Sequence, residues 1–151
     1  MYSRILVPLE HSAADAAIIA HVRKLAALCK ARLVLIHVAD GWAARNLSAL
    51  QLRESEEIRK DREYLDRICA ERNADGFGTD AILASGDPAA EITLAAEREH
   101  CDLIAMATHG HRLIADVVLG SVANAVRHRS SVPVLLVRAP GEASPPPAGQ
   151  G

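Results

Sequence analysis

Five runs of aliphatic residues punctuate the chain: RILVPL (4–9), ARLVLIHV (31–38), DAILAS (80–85), DLIAMAT (102–108) and VPVLLVR (132–138). Each is nearly continuous in apolar character, as strands covered on both faces require. Between them the period lengthens to that of helices. Ile18, Val22, Leu25 and Cys29 share one face at i, i+4, i+7 and i+11, leaving Arg23, Lys24 and Lys30 to the outside. A longer helix is expected over roughly 48–73, with Ile58, Leu65 and Ile68 inward. Its stretch RESEEIRKDREYLDRICAER reads as a solvated face laced with i, i+4 pairs. Asp87-Pro88 opens a third helix as N-cap and first-turn proline, with Ile92 and Ala95 inward, and Ser121 to Arg127 belong to a fourth. Ahead of the first helix, Ser12 is expected as the N-cap, with Asp15 three residues on in capping-box position.

Strands and helices alternating in this way specify an α/β fold, an open parallel sheet with helices on both faces. In such sheets ligands bind beyond the carboxyl ends of the strands, near the point where strand order reverses. The segments of interest are therefore Pro8 to Ser12, Val38 to Gly41, Gly86-Asp87, and Thr108 onward. Past Val137, APGEASPPPAGQG offers nothing to bury, so one domain over residues 1–138 and a disordered tail over 139–151 are expected.

Composition narrows the partners. The 151 residues, half of them hydrophobic, suffice for one domain with a proper core. A formal charge of −2 without any Lys/Arg block argues against nucleic acid. No eighteen apolar residues follow one another, so neither a transmembrane span nor a secretory signal is expected. Cys29, Cys69 and Cys101 are odd in number and widely spaced in core-type segments, which fits reduced thiols in a cytoplasmic protein.

The familiar nucleotide signatures are missing: there is no G-x-x-x-x-G-K-[ST], and no G-x-G-x-x-G follows the first strand. His109 and His111 stand at i, i+2 with no third ligand nearby in sequence, so no metal site is assigned. No Ser-His-Asp or Cys-His constellation assembles, and no catalytic residue is assigned either. What remains is Gly110 after the fourth strand, then nine residues, then Gly120-Ser121 at the head of a helix. Such glycines either turn the chain or admit an anion to the free N–H groups of the helix, and local chemistry leaves both readings open.

These residues resemble the universal stress protein family, and the likeness covers nearly all of the chain apart from the tail. The family's nucleotide-binding members carry G-x-x-G, nine residues, then G-[ST]; this chain has Ala107-x-x-Gly110, nine residues, then Gly120-Ser121. Its opening I-L-V-P-x-D-x-S is similar to ILVPLEHS, and ARLVLIHV, GDPAAEI and DLIAMATHG fit its second strand, third helix and fourth strand. The resemblance implies a Rossmann-like sheet in the order 3-2-1-4-5, with ATP, or AMP or ADP, lying over the first and fourth strands and Mg²⁺ carried by the phosphates. It implies Pro8, Leu9 and Glu10 beside adenine and ribose, Val38 closing the base pocket, and Met106 and Ala107 at the end of the fourth strand. Gly110, Gly120, Ser121 and Val122 would hold ribose and phosphates through backbone N–H groups, with His109, His111 and Arg112 adding charge-assisted contacts. Two positions depart from the family pattern: Ala107 replaces its first glycine, and Glu10 replaces its aspartate.

The function implied is that of an adenine nucleotide-binding regulatory or stress-response module. It would act as a homodimer paired through the apolar edge of the fifth strand. A slow ATPase and a structural dimer with a vestigial site are the alternatives. Asp116 is the one carboxylate within the nine-residue segment, and no general base or firmly held metal can be nominated around it.

Overall fold

In the computed structural model, which describes residues 1–40, 50–109 and 120–139, the aliphatic runs form β1 (Arg4–Pro8), β2 (Arg32–Asp40), β3 (Thr79–Gly86), β4 (Leu103–His109) and β5 (Val134–Ala139). The helices are α1 (Ala14–Cys29), α2 (Leu50–Ala74), α3 (Pro88–Arg98) and α4 (Ser121–Arg129). All strands are parallel, in the order β3-β2-β1-β4-β5. The chain builds outward from β1 to β3, then returns to place β4 on the other side of β1, so the order reverses between β1 and β4.

Because successive side chains of a strand point to opposite faces, the continuous aliphatic runs feed two cores. Ile5, Val7, Leu33, Leu35, Leu103 and Ala105 meet Ile18, Val22 and Ala26 of α1 and Leu65 of α2. Leu6, Val34, Ile36, Ile104 and Met106 meet Ala89, Ile92, Ala95 and Ala96 of α3 and Ala123 and Val126 of α4. α3 starts as expected: the Asp87 carboxylate accepts the Ala90 N–H at 2.9 Å, with Pro88 in the first turn. Gly86 just before it has φ +136°, a backbone conformation that requires glycine. At the other end of the chain, β5 runs on through Ala139, a residue assigned to the tail from sequence, which pairs with His109 and is 4% exposed. Residues 140–151 lie outside the described residues. Among the described residues, no helix is long and apolar enough to cross a membrane.

The start of α1 corrects one expectation. The helix begins at Ala14 with Ala13 in the cap position and no side-chain cap, so Ser12 is not the N-cap. Its hydroxyl accepts the Ala14 N–H at 3.3 Å, a local turn contact. The residue that organises this turn is Asp15, only 2% exposed. Its carboxylate accepts the N–H groups of Glu10 (2.9 Å), His11 (2.9 Å) and Ser12 (3.3 Å) and the Tyr64 hydroxyl of α2 (2.6 Å). That grip holds His11 at φ +60°, a left-handed conformation uncommon for a residue with a side chain. The Asp15 position was legible as a backward-reaching acid; its partner on α2 was not.

At the opposite end of the sheet, Asp102 ties the beginnings of β1 and β4 together. It accepts the N–H groups of Ser3 (2.8 Å) and Arg4 (3.0 Å) and the Ser3 hydroxyl (2.7 Å). Burial pushes this carboxyl up, but those hydrogen bonds outweigh it and the net shift is downward. A depressed folded pKa contributes stability above the ordinary carboxylate value and loses it as pH falls. Tyr64 shifts the other way: burial first, then the hydrogen bond to the Asp15 carboxylate, hold its phenol protonated well above the ordinary 10.0.

Three outcomes follow for solution stability. Asp15→Ala strands three backbone N–H groups and is expected to lower unfolding free energy by about 2–3 kcal/mol in urea titrations. A raised folded pKa stabilises the protein fully below the unfolded value and ceases to do so as pH rises through the folded one. Wild-type stability should therefore fall more steeply above pH 10.0 than that of Tyr64→Phe. Cys101, pushed up to about 11 by burial, contributes with the same sign in both proteins and cancels in the comparison. In acid, Asp102→Asn should flatten the loss of stability seen below the ordinary carboxylate value of 3.8.

Candidate functional site

The carboxyl end of β1 stops short of its neighbours, and backbone chemistry explains why on each side. Towards β4, pairing is confined to Ile5↔Leu103 and Leu6↔Ile104. Ile104 donates its N–H to the Pro133 carbonyl on the β5 side, so by strand alternation Ala105 and Ala107 turn their backbone groups towards β1. The next ladder bond would need an N–H from Pro8, which proline lacks. Towards β2, the pairing runs from Arg4↔Arg32 to Pro8↔Ile36 and ends with the Leu9 N–H donated to the Ile36 carbonyl at 2.8 Å.

The following bond in a parallel ladder would be the Val38 N–H to the Leu9 carbonyl. Among the described residues it is not made. The Leu9 carbonyl instead accepts Nδ1–H of His37 at 2.8 Å. A carbonyl can only accept, so Nδ1 carries the ring proton. Val38 thus turns its backbone N–H and C=O towards the space that β1 has vacated. β4 meanwhile continues to His109, paired with β5 through Ala139.

That space is a cavity of about 210 Å³ lined by Pro8, Leu9, Glu10, Ile36, His37, Val38, Pro88, Ile92, Met106, Ala107 and Val122. It lies at the strand reversal, on the side covered by α3 and α4. Leu9 and Met106, both among its lining residues, are buried at 3% and 5% exposure, while Glu10 sits exposed in the turn held by Asp15. Of the residues expected from sequence, Pro8, Leu9, Glu10, Val38, Met106, Ala107 and Val122 come together here. Gly120 and Ser121 sit next to them, at the head of α4, and both are exposed. The His109 backbone ends β4, while Gly110, His111, Arg112 and Asp116 lie outside the described residues.

Sequence reasoning missed Ile36, His37, Pro88 and Ile92. Ile36 was within reach, since period two puts its side chain on the same face as that of Val38. Pro88 and Ile92 follow from α3 packing over that face. His37 gave no such signal, because what fixes it lies on another element. Its Nε2 is 3.3 Å from Asp61 Oδ2 of α2, and the other oxygen of Asp61 takes His11 Nδ1 at 2.7 Å. His11 also stacks on the Tyr64 ring, with centroids 4.0 Å apart and planes 16° from parallel.

The head of α4 matters for charge. Its cap residue, Gly120, has φ −50°, which any residue can adopt, and provides no side-chain cap. A Cβ built on it meets nothing within 4 Å among the described residues. The glycine is therefore not demanded by the turn or by its described neighbours. The first N–H groups of the helix gain no partner from the cap side chain. Among the described residues, no group of three or more His, Cys, Asp or Glu is placed to hold a metal ion. Burial pushes the thiols of Cys69 and Cys101 up, the opposite of what a nucleophile needs.

The chain is similar in sequence and fold to known proteins. A universal stress protein of Methanocaldococcus jannaschii, MJ0577, is 28% identical over 91% of this chain and 96% of its own length, and its structure superimposes with a TM-score of 0.80. A universal stress protein of Archaeoglobus fulgidus in complex with dAMP shares the fold, with a TM-score of 0.66 at 20% identity over 89% of this chain and 97% of its own. A universal stress protein in complex with cAMP does so too, with a TM-score of 0.65 at 23% identity over 90% and 97%. The model of the universal stress protein family matches residues 1–138, and the chain belongs to that family.

Proposed function

We propose that the chain binds an adenine nucleotide, ATP or its mono- or diphosphate, and works as a regulatory module of the stress response. The observation that carries the reading is the slot at the end of β1, where the backbone edge of Val38 faces an apolar cavity that leads to the head of α4. An adenine ring suits such a slot: its faces are apolar and its edge offers one donor and one acceptor, which backbone N–H and C=O groups match. The cavity holds about 210 Å³, below the roughly 300–1,000 Å³ of sites that enclose a whole drug-sized ligand. It therefore fits the base, with ribose beside Glu10 and the phosphates outside, towards Gly120 and Ser121. There the helix N-terminus supplies N–H groups and partial positive charge, and Mg²⁺ arrives on the phosphates. The complexes of related folds with dAMP and cAMP support the same ligand class.

Glu10 is the acidic residue that lines the cavity, and in this reading it borders the base and not the phosphates. That placement favours binding over rapid hydrolysis, which needs a base at the γ-phosphate. Free thiols at Cys29, Cys69 and Cys101 support a cytoplasmic setting. β5 is an edge strand whose Val134 to Val137 are half-buried within the single chain. Pairing of that edge with a second copy gives a homodimer.

Thermal shift tests the nucleotide reading. ATP at about a hundred times its Kd adds roughly 2.7 kcal/mol to the folded state of the wild type. Gly120→Val should cost the apo fold no more than about 1 kcal/mol, the penalty of valine at a helix N-cap, because its Cβ meets none of the described residues, and should abolish most of the ATP increment. Ser121→Ala should weaken binding by on the order of 1 kcal/mol. An undiminished ATP shift in Gly120→Val would return that glycine to an ordinary cap. For assembly, light scattering on the order of tens of micromolar should give the mass of a dimer.

A further inference from the structure

We propose that His37, steadied by Asp61, is a positioning residue of the base pocket: by holding the Leu9 carbonyl it stops β1 from zippering onto β2 and reserves the backbone edge of Val38 for the ligand. The proposal rests on the adenine nucleotide reading for the identity of that ligand. Its own basis is the ladder. Leu9 already donates to Ile36, so its carbonyl stands one residue from Val38 with the register for the next bond in place. A carbonyl can accept two hydrogen bonds, so His37 acts by orientation: its Nδ1–H, at 2.8 Å from the opposite face of β2, draws the Leu9 oxygen out of line with the Val38 N–H.

Behind the imidazole, Asp61 Oδ2 lies 3.3 Å from Nε2, a hydrogen bond when both ring nitrogens carry a proton, and the Asp61 carboxylate is itself contacted by His11 Nδ1 at 2.7 Å. His37 is 9% exposed, so few other orientations are open to it. The chain of contacts runs from α2 through Asp61 and His37 to the Leu9 carbonyl. α2 thereby sets the width of a pocket that it does not line.

Amide hydrogen exchange on the full chain tests this, because it reads the Val38 N–H directly. In the apo wild type, Val38 should exchange much faster than Ile36, whose N–H lies inside the ladder, and AMP should slow it. Nitrogen NMR of the ring should show His37 protonated at Nδ1. In His37→Phe the Leu9 carbonyl is released, so Val38 should become protected without ligand, and Kd for AMP should rise by about tenfold or more, the equivalent of one lost hydrogen bond. His37→Asn, whose side-chain amide can replace the Nδ1 donor, should restore fast exchange and recover most of the lost affinity, whereas a merely structural role would make it no better than Phe.

Slow exchange of Val38 in the apo wild type overturns the proposal, even if His37→Phe fails to fold. So does an AMP Kd in His37→Phe within about twofold of the wild type. A wild type that takes up no AMP overturns the nucleotide reading instead, and Val38 exchange in His37→Phe then decides the role of His37 by itself.

Discussion

The fold turns on a backbone ladder that is allowed to run at one end of β1 and stopped at the other. At the start, Asp102 binds the N–H groups of Ser3 and Arg4 and brings β1 and β4 into register. At the finish, Pro8 offers β4 no donor, and the Leu9 carbonyl accepts from His37 Nδ1 and not from the Val38 N–H. Had both neighbours continued pairing, the strand reversal would be a closed sheet edge. Stopping the ladder after Leu9 leaves backbone groups of Val38 facing an apolar cavity, a placement that costs free energy unless a partner fills it. Unpaired backbone in a sheet is thus what gives an otherwise apolar cavity its polar edge.

The stopped ladder needs support, since a free strand end would drift. Asp15 supplies it from α1, binding three successive backbone N–H groups, and Tyr64 supplies it from α2 through Asp15. His11 and Asp61 add a second tie to α2. The helices over the α1 and α2 face therefore shape the turn, while α3 and α4 cover the cavity on the other face. The two layers divide the work: one layer fixes the rim, the other provides the apolar lining.

What the sequence disclosed follows from the range of the interactions. The strands were legible because burial on both faces forces continuous aliphatic runs, and the start of α3 because Asp87 and Pro88 act on residues beside them. Pro8, Leu9, Val38, Met106 and Ala107 were placed by resemblance and by the rule that ligands sit past strand ends, and they do line one cavity. The start of α1 was misjudged at Ser12 because the carboxylate of Asp15, which could have completed a local capping box, is committed to residues 10 to 12 and to a tyrosine on another helix. His37 was overlooked for the same reason: a histidine in an aliphatic run reads as a core residue until Asp61 is seen beside it.

Asp15 holds the β1–α1 turn by main-chain N–H groups and makes no demand on the side chain at position 10. A change of side chain at position 10 therefore leaves the bonds from the loop's N–H groups to Asp15 in place. The cavity-lining side chain of Glu10 and the carboxylate that fixes its loop are thus separate parts, and the rim of the cavity can be altered at position 10 while Asp15, buried behind it, keeps its hold on the main chain.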